Sequence, residues 1–305
     1  MTGLYIPMIY HDITYSIFDL LNLWYNFFFQ PSSALSLALF RICAGLICIA
    51  RGLALWKYAD LFFGPEGLYR YDSWIARDDY KKYFSLFKYL PKGSNSARLI
   101  FGALILSGLS LSLGFCSSLS CFVVYCLWTS INHRNMFLVN SGDSIFRILI
   151  FLCIFSGSGY ALSVDNYLYN RDQWDTLINP WVFRLMQIQV CTVYAMSVYY
   201  KLNNGIEWRT GKGVHYSLNN ETFNRLGFLQ NMNVWQSWLS DLCLLAIQIV
   251  GPIGLWFKET NGICLAFLML LHASFEIVLY VGLFGIVMMV SLLLFVDPSW
   301  IIMLR

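Results

Sequence analysis

The chain is short of charge. Only 12% of its 305 residues are Asp, Glu, Lys or Arg, about half the share found in an ordinary globular protein. So few ionised groups cannot cover a body of this size in water, which excludes a soluble enzyme. The net charge is +3, with its lysines and arginines dispersed along the chain, so no nucleic-acid surface is expected. Histidine is scarcer still, at positions 11, 133, 215 and 272. No H-x-x-H or E-x-x-H box accompanies them, and neither a metal centre nor a haem is expected. The nine cysteines include no C-x-x-C pair. Each falls in or beside an apolar stretch, the pattern of small buried hydrophobes rather than of a disulfide framework. The first 34 residues hold no Lys or Arg and no small-residue cleavage site after a short apolar core, so they do not read as a cleaved signal peptide.

What is abundant is apolar surface. Hydrophobic residues make up 58%, mean hydropathy is +0.58, and the apolar residues come in blocks matched to roughly 30 Å of hydrocarbon. The expected fold is all-α, a polytopic integral membrane helical bundle with seven or eight transmembrane helices plus amphipathic interfacial helices. It is multi-pass, in the cell membrane or an inner membrane, with lipid as its first partner. Residues 1–34 read as an amphipathic interfacial segment, rich in aromatics at FDLLNLWYNFFFQPSS, and residues 35–301 as one transmembrane domain without repeats or linkers.

Spans are expected over about 35–56, 97–115, 119–138, 144–163, 181–202 and 235–257. The apolar run 262–296 is too long for one crossing and is read as two short helices broken near Gly282 and Gly285. The basic loop 57–96 and the loop after Leu202 fall on one side, which the positive-inside rule makes cytoplasmic.

An ionisable group within a span costs roughly 2.5 to 3.5 kcal/mol on insertion scales and needs a partner or a task. Arg41 and Arg51 lie in the first span, His133 and Arg134 end the third, Asp143 and Arg147 open the fourth, and Lys201 ends the fifth. Antiparallel connectivity brings His133, Asp143, Arg147 and Lys201 to one depth, with Arg41 in reach, while His272 and Glu276 share a face one turn apart. Each has a bland alternative. Asp143 and Arg147 suit an ion pair at a helix start, Lys201 a snorkelling anchor, His272 and Glu276 an interhelical brace, and Arg134 a loop charge.

The succession LALFRICAGL, FFGPEGL, INHRN, SGDSIFRILIF and RLMQIQVCTVYAMSVYYKLNNGIEWRTGKGVHYSL resembles the HTTM membrane domain, the family that includes the vitamin K-dependent gamma-carboxylase. The resemblance covers roughly residues 31–300. It implies that Lys201, followed by Leu202 with Trp208 and Gly211 beyond, is the base that deprotonates reduced vitamin K or another quinone. It likewise implies that Asn132 and His133 orient the reacting species, with His272 a further catalytic candidate. Arg41, Asn132, Asp143, Arg147, Glu276 and Trp208 are then candidates for holding substrate or cofactor.

In that family the deprotonated hydroquinone reacts with oxygen, the product removes a proton from a glutamate side chain, and carbon dioxide adds, which is lyase chemistry on a peptide or protein substrate. An apolar chamber suits it because water would quench the base. The sequence given stops at Arg305, without the large lumenal portion by which the carboxylase holds its protein substrate, so carboxylation of such a substrate is not expected. The competing expectation is a non-catalytic membrane helper in maturation, export or immunity for a secreted peptide, with the polar cluster as a structural core.

Overall fold

The computed structural model describes residues 17–77, 80–169, 176–227 and 233–303. The first part of segment 1–34, with His11, lies outside those residues. Ten helices carry the argument: α1 (Ile17–Phe29), α2 (Leu35–Lys57), α3 (Ser94–Leu113), α4 (Ser117–Arg134), α5 (Ser141–Cys153), α6 (Trp181–Asn204), α7 (Gly213–Asn219), α8 (Val234–Gly254), α9 (Lys258–Val278) and α10 (Phe284–Leu292). Shorter helical turns and one pair of two-residue strands join them. The protein is all-helical, as expected.

Four helices, α2, α3, α8 and α9, are long and apolar enough to cross a membrane. The expectation of seven or eight crossings is supported for those four. At 1.5 Å per residue, thirteen-residue α5 reaches only about 20 Å of the roughly 30 Å needed. Helix α6 has the length, but Arg184, Gln187, Gln189 and Lys201 dilute its apolar character.

The chain forms two compact units. One comprises residues 33–178 and is built on α2 packed against α3. Gly45 and Gly108 face each other there so closely that a side chain on either would meet the other's backbone carbonyl. Small residues permit this approach, which replaces the missing hydrophobic drive between helices in lipid. Helix α5 begins with a capping box. The Asn140 side chain accepts from the Asp143 amide while the Asp143 carboxylate accepts from the Asn140 amide, satisfying two orphan donors.

The other unit contains residues 1–32 and 179–305. Helix α8 opens with the same device, from Asn233 and Gln236. Helix α1 buries none of its residues and exposes Ile17, Phe18, Trp24 and Tyr25, as suits a helix lying in a lipid interface. The long apolar run does break. However, α9 is a full 21-residue helix rather than a short one, and the interruption covers 279–283 with Gly282 at φ +67°, so Gly285 falls inside α10. Unwound backbone in an apolar setting needs partners. The stretch 223–225 supplies them: Arg225 N donates to Val278 O at 2.9 Å, and Tyr280 N donates to Phe223 O at 2.6 Å.

Candidate functional site

In the unit of residues 33–178, Asp143 is fully buried and pairs with Arg51 at 2.9 Å. The i, i+4 ion pair with Arg147 is not what forms. The capping box turns the Asp143 carboxyl back toward α2, where Arg51 lies 4.8 Å from the Trp128 ring centre. Arg147 instead meets His133, its Nη1 donating to Nε2 at 3.3 Å. The Nδ1 of that imidazole faces the Phe84 carbonyl at 2.7 Å. A carbonyl only accepts, so Nδ1 carries the proton and Nε2 holds the lone pair that Arg147 engages. Both ring nitrogens are committed, and the Trp74 indole donates to the His133 carbonyl at 2.8 Å. His133 thereby ties the 58–93 segment to the end of α4. Its neighbour Asn132 is buried, and its Oδ1 has no hydrogen-bond partner among the described residues.

Arg41 does not join this group. Ten residues before Arg51 on α2, it sits about 15 Å along the axis. Its Nη1 donates to the Leu111 carbonyl at 2.7 Å and its Nη2 to the Leu162 carbonyl at 2.6 Å. It is a fully buried staple at the other end of the helix. Arg134 is not a loop charge either. It is buried beneath Phe63, Tyr69, Tyr71 and Trp74, each ring centre 5.2 to 5.6 Å from its guanidinium carbon. The aromatic faces replace the water that the cation gave up.

The remaining candidates belong to the other unit, where a polar seam runs along α6. Gln187, Tyr194 and Lys201 are spaced by seven, two turns apart on one face. Each meets a different element. Gln187 Nε2 donates to the Leu294 carbonyl at 2.8 Å, the Tyr194 hydroxyl lies 2.8 Å from His272 Nε2, and Lys201 Nζ donates to Gln248 Oε1 at 2.7 Å. Lys201 Nζ is also 4.5 Å from the Trp208 ring centre.

The neighbouring acid, Asp241, is one heptad before Gln248 on α8 and within electrostatic reach of Lys201. Its carboxylate is already spent, accepting from the amides of Gly213 at 2.8 Å and Val214 at 2.7 Å. Those bonds dock the start of α7. There Gly213 lies flat against the Trp208 indole, with no room for a Cβ, so Asp241, Gly213 and Trp208 together form the cover over Lys201. Among the described residues no carboxylate forms an ion pair with that lysine.

His272 and Glu276 share a face but do not bond to each other. Each keeps a buried polar atom, Nδ1 and Oε1, without a partner among the described residues. Sequence reading missed Gln248, Tyr194 and Asp241, although two heptad-spaced polar series in apolar helices were there to find. It also missed Arg184, which is buried, donates to Gln187 Oε1 at 2.8 Å and lies 5.1 Å from the Phe27 ring centre. Among the described residues no group of three His, Cys, Asp or Glu side chains is placed to hold a metal ion.

A helical fold with four membrane-length apolar helices and buried polar seams defines an integral membrane protein. The model of the HTTM domain matches residues 29–300, nearly the whole chain, and the protein belongs to that vitamin K-dependent carboxylase-like family. No solved structure matches the chain.

Proposed function

We propose that this protein is a multi-pass membrane enzyme of carboxylase-like type in which Lys201 is the base acting on a quinone-like lipophilic molecule. On this reading the shorter or more polar helices α4, α5 and α6 bring the four apolar helices to seven crossings, and the short apolar α10 makes the eighth. The observation that carries it is the setting of the Lys201 amine: a neutral amide on one side, an indole face on the other, and the nearest acid committed to backbone amides. A lysine tied to a carboxylate is a structural cation. One held only by neutral groups is free to give up its proton and take another.

The residues fit a flat, apolar, hydroxyl-bearing ring. Trp208 offers an aromatic face, and Gln248 offers both an acceptor and a donor beside the amine. When bound, a reduced quinone would supply an acidic ring hydroxyl and two reducing electrons. Lys201 Nζ takes the proton, Gln248 orients the amine toward it, and the Trp208 cover keeps water from the amine. General-base catalysis of this kind contributes about 10²- to 10⁴-fold.

The test is to purify the full chain in lipid nanodiscs, supply a reduced naphthoquinone under oxygen, and follow its oxidised products. Lys201→Gln should lose turnover while its melting temperature stays near that of the parent protein. Turnover that survives in the variant, or its absence in the parent together with no quinone among the extracted lipids, would end the enzyme reading.

A further inference from the structure

Polar atoms sealed away from water without partners are costly to bury, and here two lie one turn apart. His272 is only 1% exposed. With Nε2 already facing the Tyr194 hydroxyl, its Nδ1 is left open. On the next turn Glu276 turns its carboxyl toward α10 and leaves Oε1 open. That oxygen fits only because residue 285 is glycine, since a Cβ there would sit 2.6 Å from it.

The walls are otherwise aromatic. Phe275, Phe284 and Tyr194 hold their ring centres 5.6 to 5.8 Å from the imidazole. Beyond them the chain leaves the helix at 279–283, with its backbone bonded to 223–225. Two open polar atoms in an aromatic setting beside a broken helix are the composition of a small-molecule site.

We propose that His272 and Glu276 bind the hydroxyl group of an apolar alcohol or phenol between them. A hydroxyl both donates and accepts, and a single chain of bonds then leaves no group open. Tyr194 O–H donates to Nε2, Nδ1–H donates to the ligand oxygen, and the ligand hydrogen is donated to Glu276 Oε1. Helical neighbours at this spacing hold their Cβ atoms about 5 to 6 Å apart, which suits one bridging oxygen at about 2.8 Å from each polar atom. A carbonyl or an ether can only accept, and would leave the glutamate without a donor. The site stands on its own geometry and holds whether or not Lys201 acts as a base.

The experiment compares naphthol with its methyl ether, which has the same ring but no donor, by equilibrium binding to the full chain in nanodiscs. Naphthol should bind about ten-fold or more tightly than the ether, the difference expected when a buried acceptor is left without its donor. Glu276→Leu and Gly285→Ala should bring naphthol down to the level of the ether. Glu276→Gln, which keeps an acceptor oxygen, should restore part of the difference. Equal binding of the two compounds, no binding of either, or a preference that persists in Glu276→Leu would overturn the assignment.

Discussion

Arg147 occupies the single lone pair of the His133 ring, because the proton of that ring is committed to the Phe84 carbonyl. The imidazole is a neutral clamp between α4, α5 and the 58–93 segment, and its tautomer is set by partners that do not change during a reaction. His133→Ala should destabilise the protein by about 1 kcal/mol, the net worth of a hydrogen bond whose partners are not fully buried. It should also speed protease cleavage within 58–93. A variant that loses turnover while melting and proteolysis stay as in the parent would instead give His133 a direct part in the chemistry.

Arg51 and Asp143 form a buried ion pair, and removing one member leaves the other charged and alone. Asp143→Asn and Arg51→Met should each cost about 3 to 5 kcal/mol, and the two combined in one chain much less than their sum. Unfolding of the four proteins in mild detergent gives the coupling directly. Additive losses would mean that the pair is not coupled.

The Trp208 cover depends on a residue with no side chain. Gly213→Ala forces a methyl group into the indole and should shift the ring from Lys201. Turnover should fall about ten-fold or more, as misplacement of a site group by an ångström does, with little change in melting temperature. Tryptophan fluorescence reports the displacement, and an unchanged spectrum with unchanged turnover would remove the cover from the mechanism.

Asp60, exposed in the short helix Ala59–Phe63 just after α2, accepts from Ser94 and Arg98, and these bonds hold its carboxyl below the usual carboxylate range. A carboxylate depressed in the folded state adds stability above its unfolded value, about pH 4, and that stability drains away as pH falls through the lower folded value. The parent protein should therefore lose more stability than Asp60→Asn between about pH 4 and pH 2, measured by parallel melts. The effect is small because the group is solvated, and superimposable pH profiles would contradict it.

The class of this protein was legible from composition, because a chain with 12% charge has nowhere to fold but lipid. The spans starting near residues 35, 97 and 235 were legible from hydropathy for the same reason, and the break near Gly282 from the length of the last run. The family was legible from the order of its motifs, and with it the choice of Lys201. Tertiary structure alone decided which charge meets which. Asp143 has Arg147 one turn away in sequence but pairs with Arg51 from another helix, since the capping box aims its carboxyl outward from its own face. Lys201 has Glu207 close behind it, yet rests on Gln248, nearly fifty residues later. Sequence spacing fixes only neighbours on the same helix. Partners across helices depend on rotation and depth in packing, which no local pattern encodes.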